Sequence, residues 1–417
     1  MSNRRNTIYI LAILSFVVGL LTGRAFYFNL GYMFCALMLF SMLWAWASVR
    51  WLVITRRTRS RRAQVGRLFE EQFIIHNPAI LPKLWLEVRD ESNLPGHVAS
   101  HIVPALGVRS KYSWQVKTRC ATRGEFKLGP MTISSGDPFG LFHAMRRIDA
   151  TTRVIVYPQI VEIQQFELPI GNISGGEAQR RRSHYVTTNA AGVRDYVPGD
   201  SFNRIHWRST ARRDKLIVKE FEIDPLVDIW LFADFSALSL VEAANIKRVG
   251  GTGPIMPVSN EIPQSTEEYV AVVSASLAKY FITLDRALGF AAYTPNREIH
   301  QPERGNRQLT RILESLAVAR SLSDYTLGQM LTLETPYFTR GTTLLIVTAS
   351  LEPSWVIEAQ ILTRRGIRPM CILIDASTFG GIKPSDEIRG ILQMANIPTV
   401  VIRYGDDIAT ALAQRSL

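Results

Sequence analysis

Uncharged apolar residues dominate the first fifty positions of the chain. They form two unbroken runs, residues 7–23 and 25–49, and only Arg24 separates them. A helix needs about 20 residues to cross a hydrocarbon core about 30 Å thick, so the second run spans it easily and the first is close to the minimum. The pattern predicts a hairpin of two transmembrane helices, with its connection near Arg24 or Gly31.

The positions of the arginines predict how this hairpin is oriented. Residues 1–62 contain nine arginines and no acidic residue, and all of these arginines except Arg24 flank the outer ends of the two runs. Because positive residues stay on the cytoplasmic side, we expect a multi-pass protein of the plasma or inner membrane whose termini and soluble domains are cytoplasmic. The alternative for the first run is a cleaved signal peptide that begins with Arg4 and Arg5.

The net charge of +12 raises the question of an anionic partner. Residues 1–62 carry most of this charge, which leaves +3 for the other 355 residues. We therefore expect residues 1–62, and in particular the run 56–62, to contact membrane lipids, and we expect no nucleic-acid partner. Trp44, Trp46 and Trp51 fit an aromatic belt at the inner membrane surface.

Short apolar runs of alternating polarity follow between residues 65 and 165. Turn residues such as Asn77-Pro78 and Gly136-Asp137-Pro138 separate them, and this spacing is typical of antiparallel strands. The pattern predicts a β-sandwich-like domain of about a hundred residues. No arrangement of catalytic side chains is recognisable in it.

Residues 224–417 change to apolar strands that alternate with helical stretches. The strand-like runs are 227–233, 288–293, 343–348, 369–374 and 399–403, and the helical stretches are 265–286, 306–320, 353–365 and 385–395. Continuous apolar strands are typical of a parallel sheet that helices cover on both faces. This order predicts a doubly wound α/β domain.

A basic segment, residues 175–223, connects the two soluble domains and carries two dense motifs. The first is R-x-Y-x-x-G-D, with Arg194, Tyr196, Gly199 and Asp200. The second joins Ile205, Trp207, Thr210, Ala211 and Arg212 to a strand with Val218, Lys219 and Glu220. Together they resemble the signature of the domain of unknown function 58 family. Residues 123–130 and 137–141 also agree with this family.

The resemblance implies a layout and a partner. Similar proteins have two N-terminal membrane segments, a strand-rich region, the signature, and a C-terminal part that resembles a von Willebrand factor A domain. They are commonly encoded beside MoxR-type AAA+ ATPases. The resemblance therefore implies that the protein partner is a MoxR-type ATPase.

The signature segment leaves three physical interpretations open. Trp207 could be packed, with Arg194 or Arg212 paired to Asp195, Asp200 or Asp214. Arginines around an aromatic ring could bind phosphate or nucleic acid. The third interpretation is a protein-docking surface, because Trp, Tyr and Arg are preferred anchors. As the docking residues we select Arg194, Tyr196, Asp200, Trp207, Arg208, Arg212 and Arg213.

The first strand of the α/β domain ends in Asp234-Phe235-Ser236-Ala237-Leu238. An intact von Willebrand A domain has D-x-S-x-S at this place, and its oxygens bind Mg²⁺. Here Leu238 stands where the second serine belongs, and residues 348–350 read Thr-Ala-Ser instead of T-D-G. We therefore expect a degenerate site, with Asp234 and Ser236 as weak metal candidates.

These observations favour a membrane-anchored interaction or scaffold protein over an enzyme. The chain has no Walker A sequence and no nucleophile motif, and His184 and His206 lack metal-ligand spacing. Cys35, Cys120 and Cys371 form no disulfide framework. We expect no cofactor. The alternatives are a hydrolase that uses Asp200 or Asp234, or a protein that binds an anionic ligand through the signature segment.

Overall fold

Two long helices open the chain in the computed structural model, which describes residues 2–168, 190–197, 205–221, 228–242, 262–294 and 296–414. Helix α1 covers Ser2–Thr22 and α2 covers Ala25–Val49, and both are long and apolar enough to cross a membrane. Gly23 has φ +69°, which glycine adopts without strain, so the connection is only Gly23 and Arg24. Gly31 instead lies inside α2, where a Cβ would come within 2.8 Å of the Phe16 ring.

The described residues fall into two units, one mainly up to Gln159 and the other mainly from Ile160 onward. The first unit continues with strands β1 (Val53–Thr58), β2 (Arg62–Gln64), β3 (Leu68–His76), β4 (Lys83–Asp90), β5 (His101–Leu106), β6 (Lys111–Arg119), β7 (Gly124–Leu128), β8 (Met131–Gly136), β9 (His143–Ile148) and β10 (Thr152–Tyr157). They form sheets of order β1-β3-β6, β5-β4-β8-β9 and β2-β10-β7. We call residues 53–157 the strand-rich domain.

The core of the strand-rich domain lies between the β1-β3-β6 sheet and the β5-β4-β8-β9 sheet. Phe73 and Ile75 of β3 contribute to it from one sheet, and Val88 of β4 and Ile133 of β8 contribute from the other. Burial alternates along β3 as the two-residue period of a strand requires. The predicted β-rich region is therefore present, and its first strand begins at Val53, before the expected start at residue 65.

Helix α2 enters this core directly. Ala45, Ser48 and Val49 of its last turns are buried, as is Leu52 just beyond them. The buried ammonium of Lys83 donates a hydrogen bond to the carbonyl oxygen of Ala47, one of the carbonyls that the end of a helix leaves without an intrahelical partner. Burial lowers the pKa of Lys83. The helix and the strand-rich domain are thus joined by packing as well as by the chain.

A cluster of buried charges lies at the opposite end of the strand-rich domain. The Arg56 guanidinium contacts Glu71 at 3.1 Å and Asp90 at 2.9 Å. His97 Nε2 lies 3.1 Å from Glu71 and 3.3 Å from Asp90, and His97 Nδ1 lies 2.7 Å from the Thr118 hydroxyl. The expectation that the run 56–62 faces lipid headgroups is wrong for Arg56, because its side chain is only 2% exposed.

The second unit is built around a six-stranded sheet. Its strands are β13 (Ile229–Ala233), β14 (Leu288–Tyr293), β15 (Arg297–Glu303), β16 (Thr343–Thr348), β17 (Arg368–Ile374) and β18 (Thr399–Ile402), and its helices are α4 (Thr266–Thr283), α5 (Asn306–Val318), α6 (Leu327–Glu334), α7 (Ser354–Arg364), α8 (Asp386–Met394) and α9 (Ile408–Ala413). The strand order is β15-β14-β13-β16-β17-β18. Only β15, which sequence analysis missed, is antiparallel to its neighbour.

The register of this sheet places two strand ends side by side. β13 is paired in parallel with β16, and Ala233 lies opposite Val347. Every residue of β13, β14 and β16 is buried, as expected of central strands that are covered on both faces. Asp234 and Thr348, which follow this pair, are therefore neighbours at the carboxyl edge of the sheet, where α/β folds gather ligands.

Candidate functional site

The signature segment folds as a strand, a short helix and a second strand. Strand β11 covers Ala190–Asp195, helix α3 covers Trp207–Arg213, and strand β12 covers Ile217–Phe221. β11 and β12 are antiparallel, with Asp195 opposite Ile217. We call this arrangement the signature ribbon.

The second motif supplies the residues that hold the signature ribbon together. Ile205 forms a bridge with Val218, and both side chains are buried, as is Ile217. The Thr210 hydroxyl accepts a hydrogen bond of 3.1 Å from the Ile217 amide. The His206 amide donates to the Ile217 carbonyl at 2.8 Å. These contacts fix α3 against β12 and give Ile205, Thr210 and Val218 of the motif a structural role.

Both ends of α3 are capped. His206 is the N-cap, and its Nδ1 accepts a 3.2 Å hydrogen bond from the Ser209 amide and lies 2.7 Å from the Ser209 hydroxyl. Asp214 takes the left-handed conformation, with φ 50°, that ends many helices. His206 therefore has a capping role, which sequence analysis did not predict.

The remaining motif residues of α3 are left in solvent. Trp207 is 66% exposed, and Arg208, Arg212 and Arg213 are also exposed. In the part of the chain that the structure describes, no carboxylate lies within ion-pairing distance of these three arginines, and Asp195 pairs instead with Lys215 at 3.5 Å. The interpretation that Trp207 is packed is therefore wrong in this structure.

The other selected residues are placed only in part. The Tyr196 amide donates to the Leu216 carbonyl at 2.9 Å, and the Tyr196 side chain is half-buried. Arg194 lies in β11 opposite Val218. Asp200 and His184 lie outside the described residues. Trp207, Arg208, Arg212 and Arg213 are thus exposed around one short helix, and we call this set of side chains the signature helix face.

The second candidate site, at the end of β13, is a closed hydrogen-bond network. Asp234 is buried, and its carboxylate accepts hydrogen bonds from the Ser236 amide at 2.9 Å and the Thr348 hydroxyl at 2.6 Å. The Thr348 hydroxyl in turn accepts one from the Ser350 amide at 2.8 Å. Burial raises the pKa of Asp234, and the hydrogen bonds from Thr348 and Ser236 oppose this effect.

A serine that sequence analysis missed completes this network. A short 3-10 helix, Ala237–Ser239, follows Ser236 and turns Leu238 outward, so that Leu238 is 71% exposed. Ser239, one position later, is buried, and its hydroxyl donates to the Ser236 carbonyl at 2.9 Å. Ser239 therefore supplies a buried hydroxyl beside Ser236, whereas position 238 supplies an exposed leucine.

The Asp234 carboxylate is engaged by the protein in this structure. Both of its oxygens accept protein hydrogen bonds, so a Mg²⁺ ion, which is usually bound through one or two carboxylates in near-ideal octahedral geometry, would have to displace them. Among the described residues no group of three or more histidine, cysteine, aspartate or glutamate side chains could hold a metal. The network acts as a structural end to β13 and β16.

Comparison with known proteins finds a family similarity over the signature ribbon. The family model described as "Protein of unknown function DUF58" matches residues 192–249. The resemblance inferred from the two motifs is confirmed over this segment.

A particular relative is the uncharacterised protein YeaD of Bacillus subtilis (strain 168). It is 24% identical over 203 residues, which are 47% of this chain and 43% of YeaD. The chain thus spans less than half the length of this curated relative.

Solved structures show only partial likeness. Proximal thread matrix protein 1 from the mussel byssus is 14% identical at a TM-score of 0.29 and covers 45% of this chain and 46% of its own. The pilus adhesin SpaC from Lactobacillus rhamnosus GG is 13% identical at a TM-score of 0.31, and the match covers 45% of this chain and 29% of SpaC. The CARDB domain of a Pyrococcus furiosus protein is 15% identical at a TM-score of 0.20, and the match covers 25% of this chain and 86% of the CARDB chain. These likenesses are too slight to assign a fold or a function.

Proposed function

We propose that this chain is a membrane-anchored scaffold protein that docks a partner protein through its signature helix face. The observation that carries the proposal is the exposure of Trp207. A tryptophan that is 66% exposed stabilises no core. In alanine scans of interfaces a few residues carry most of the binding energy, and tryptophan and arginine are enriched among them. The Thr210 hydroxyl accepts a hydrogen bond from the Ile217 amide and the His206 amide donates to the Ile217 carbonyl, so α3 is held in place before any partner arrives and the entropy cost of binding is lower.

The charge of this face favours a partner with an acidic surface. Arg208 and Arg212 are i,i+4 neighbours, and such a like-charge pair costs an isolated helix about 0.2–0.5 kcal/mol. The helix dipole favours Arg212 and Arg213 in the last turn, but it gives no reason for Arg208 in the first. An acidic partner surface would offset the repulsion and would steer the encounter.

The rest of the proposed function follows the family resemblance. We assign the anchor to α1 and α2 and the cytoplasmic orientation to the flanking arginines. We assign the second unit to the von Willebrand A kind of α/β domain, supported by its strand order and by Asp234 and Ser236 at the end of β13. A MoxR-type AAA+ ATPase is the partner that the resemblance implies.

Charge reversal with a matched control tests this proposal. The solubilised full-length chain is titrated with a purified MoxR-type ATPase from the same organism. The test variant is Arg208→Glu/Arg212→Glu/Arg213→Glu, and the control is Arg307→Glu/Arg340→Glu/Arg365→Glu, which changes the same charge at three other exposed arginines. We expect the test variant to lose more than about tenfold in affinity, equal to about 1.4 kcal/mol, while the control keeps the affinity of the unaltered chain. Equal affinities for both variants, with each shown to be folded, would exclude docking through these arginines.

A second candidate function is the capture of a small anionic ligand, which is also favoured because no carboxylate among the described residues pairs with Arg208, Arg212 or Arg213. Isothermal titration calorimetry of the solubilised full-length chain with inorganic phosphate and with ATP distinguishes the two functions. Saturable heat with phosphate or ATP that the triple variant Arg208→Glu/Arg212→Glu/Arg213→Glu abolishes would favour the ligand. Its absence, together with ATPase binding, would favour docking.

A further inference from the structure

The length of α2 indicates where the strand-rich domain begins relative to a membrane. The helix has 25 residues, and about 20 helical residues cross the hydrocarbon core. About one and a half turns therefore remain at the C-terminal end, and these are the turns in which Ala45, Ser48 and Val49 are buried by the strand-rich domain. The strand-rich domain therefore begins to enclose α2 where the helix would leave the hydrocarbon core of the membrane.

Strand register shows which loops share this end of the domain. β1 begins at Val53 just after α2, and Val53 lies opposite His76, which in turn lies opposite Lys111. The loops 77–82 and 107–110 are therefore at the helix end. β8 runs antiparallel to β4 and ends at Gly136, so the β8–β9 turn, residues 137–142, is at the same end. The first residues of α1 reach it too, because Arg4 lies beside Gly140.

Hydrogen bonds make these loops rigid. The buried Asn77 amide donates to the carbonyls of Leu81 and Gly107, each at 2.9 Å, and so ties loop 77–82 to loop 107–110. The Asp137 carboxylate accepts from the amides of Phe139 at 2.9 Å and Phe142 at 2.6 Å. The side chains at the loop tips are therefore presented in fixed positions.

Each of these loops presents an exposed apolar side chain. Together with two tryptophans near the helix exit they form a group that we call the collar: Trp51, Ile80, Trp85, Val108 and Phe139, which are between 47% and 79% exposed. Large exposed apolar groups that cluster on one end of a domain mark a contact with a membrane or a protein.

The charges around the collar identify the partner chemistry. Arg4, Arg50, Arg109 and Lys111 are exposed at this end. The acidic residue in the three loops, Asp137, is buried and satisfied by backbone amides. Apolar tips surrounded by cations fit the boundary between acyl chains and anionic headgroups, where Trp and basic residues gather.

We infer that the collar is a membrane-contact surface, with Ile80, Trp85 and Phe139 inserted into the interfacial layer of a bilayer that contains anionic lipid. The inference rests on the proposed anchoring by α1 and α2. It goes beyond anchoring, because it gives the strand-rich domain its own contact with lipid and fixes its depth. A second copy of the chain is the competing occupant.

Site-specific fluorescence in vesicles of phosphatidylcholine and phosphatidylglycerol tests the inference. Cys120 and Cys371 are fully buried, so Cys35→Ala removes the exposed thiol. An environment-sensitive fluorophore is then attached to Ile80→Cys or Phe139→Cys in the full-length chain. Val98→Cys, which is 66% exposed in the loop at the opposite end of the domain, is the matched control. Leu39→Cys, exposed in the middle of α2, reports the anchor separately.

We expect labels at 80 and 139 to be quenched by lipid that carries a nitroxide high on its acyl chain and to lose quenching by aqueous iodide. The label at 98 is expected to be quenched by iodide alone. If labels at 80 and 139 behave like the label at 98 while the label at 39 is quenched by nitroxide lipid, the collar inference fails and the anchor stands. Loss of iodide quenching without lipid quenching would show that protein covers the collar, which also overturns the inference. A label at 39 that iodide reaches would refute the anchor itself.

Discussion

Arginines from two basic stretches, Arg56 of the strand-rich domain and Arg208 and Arg212 of the signature ribbon, lie in opposite surroundings. The Arg56 side chain is 2% exposed and contacts two carboxylates, Glu71 and Asp90. Arg208 and Arg212 are exposed, and the described part of the chain brings no carboxylate within ion-pairing distance of either. The partners of Arg56 come from other strands, β3 and β4, so the strand register decides its surroundings. Local charge density alone says little about whether an arginine binds something outside the protein.

The largest expected effect comes from removing the buried arginine. Arg56→Met leaves Glu71 and Asp90 buried with less positive charge beside them, and breaking a buried ion pair from one side costs about 3–5 kcal/mol of folding free energy. Arg208→Met, the matched exposed change, should alter stability by less than about 0.5 kcal/mol. Urea unfolding of the detergent-solubilised chain measures both. Similar stabilities for the two variants would remove the contrast between the regions.

The pH dependence of stability sharpens the same contrast. Burial disfavours a charged His97, but its hydrogen bonds to Asp90 and Glu71 outweigh burial and raise the pKa of His97. The contribution of His97 to the free energy of unfolding is therefore complete below the ordinary histidine pKa. It is lost as pH rises through the raised pKa of His97 in the folded protein. For Asp90, burial is outweighed by hydrogen bonds from His97 and Ser92 and by the Arg56 charge, so its pKa is lowered and its contribution is lost as pH falls through that lower value.

We expect unfolding free energy to decline on the alkaline side of the ordinary histidine pKa, with a slope for one proton of at most about 1.4 kcal/mol per pH unit. The groups that face His97 are Glu71, Asp90 and Thr118. His97→Gln is the control, since it cannot titrate, and its stability should be lower and flatter over this range. A slope that persists in His97→Gln would assign the effect to another group.

Trp207→Ala tests the exposed side of the comparison. Removing a buried tryptophan typically costs about 3–5 kcal/mol. An exposed one leaves no cavity, so we expect a change within about 0.5 kcal/mol while binding of the partner falls sharply. Thermal unfolding and partner titration are measured on the same preparation. A large loss of stability would show that Trp207 packs in the protein.

Asp234 extends the comparison to a buried carboxylate that hydroxyls and amides satisfy, and it gives the smallest expected effect. A ligand present below its Kd stabilises by less than about 0.4 kcal/mol, and we expect millimolar Mg²⁺ to do no more. Differential scanning fluorimetry with and without Mg²⁺ measures this, with Asp234→Asn as control. A shift of several degrees that Asp234→Asn abolishes would show that the network opens to bind metal.

Local periodicity was enough to predict the two long apolar helices and the parallel strands, but not β15, α6 or α9. The two apolar runs correspond to α1 and α2, and the five apolar runs after residue 224 correspond to β13, β14, β16, β17 and β18. β15 was missed because it reads Arg-Glu-Ile-His-Gln-Pro-Glu, a polar edge strand without the apolar pattern.

The side-chain environments could not be predicted in the same way. The burial of Arg56 depends on Glu71 and Asp90, which strand pairing brings to it from elsewhere in the chain. Ser239 reaches the Asp234 network only because a 3-10 turn rotates Leu238 outward. The motif spacing located the signature helix face, but only the fold showed that Ile205 and Thr210 hold the ribbon while Trp207 is left exposed.

Because its last turns are enclosed by the strand-rich domain, α2 should move together with that domain. No flexible linker separates it from the strand-rich domain, since Val49 and Leu52 are part of the core of that domain. Helices longer than the local hydrocarbon thickness accommodate the mismatch by tilting. A tilt of α2 in a thinner bilayer would therefore incline the strand-rich domain by the same angle. The orientation of this domain relative to the membrane would then depend on membrane thickness.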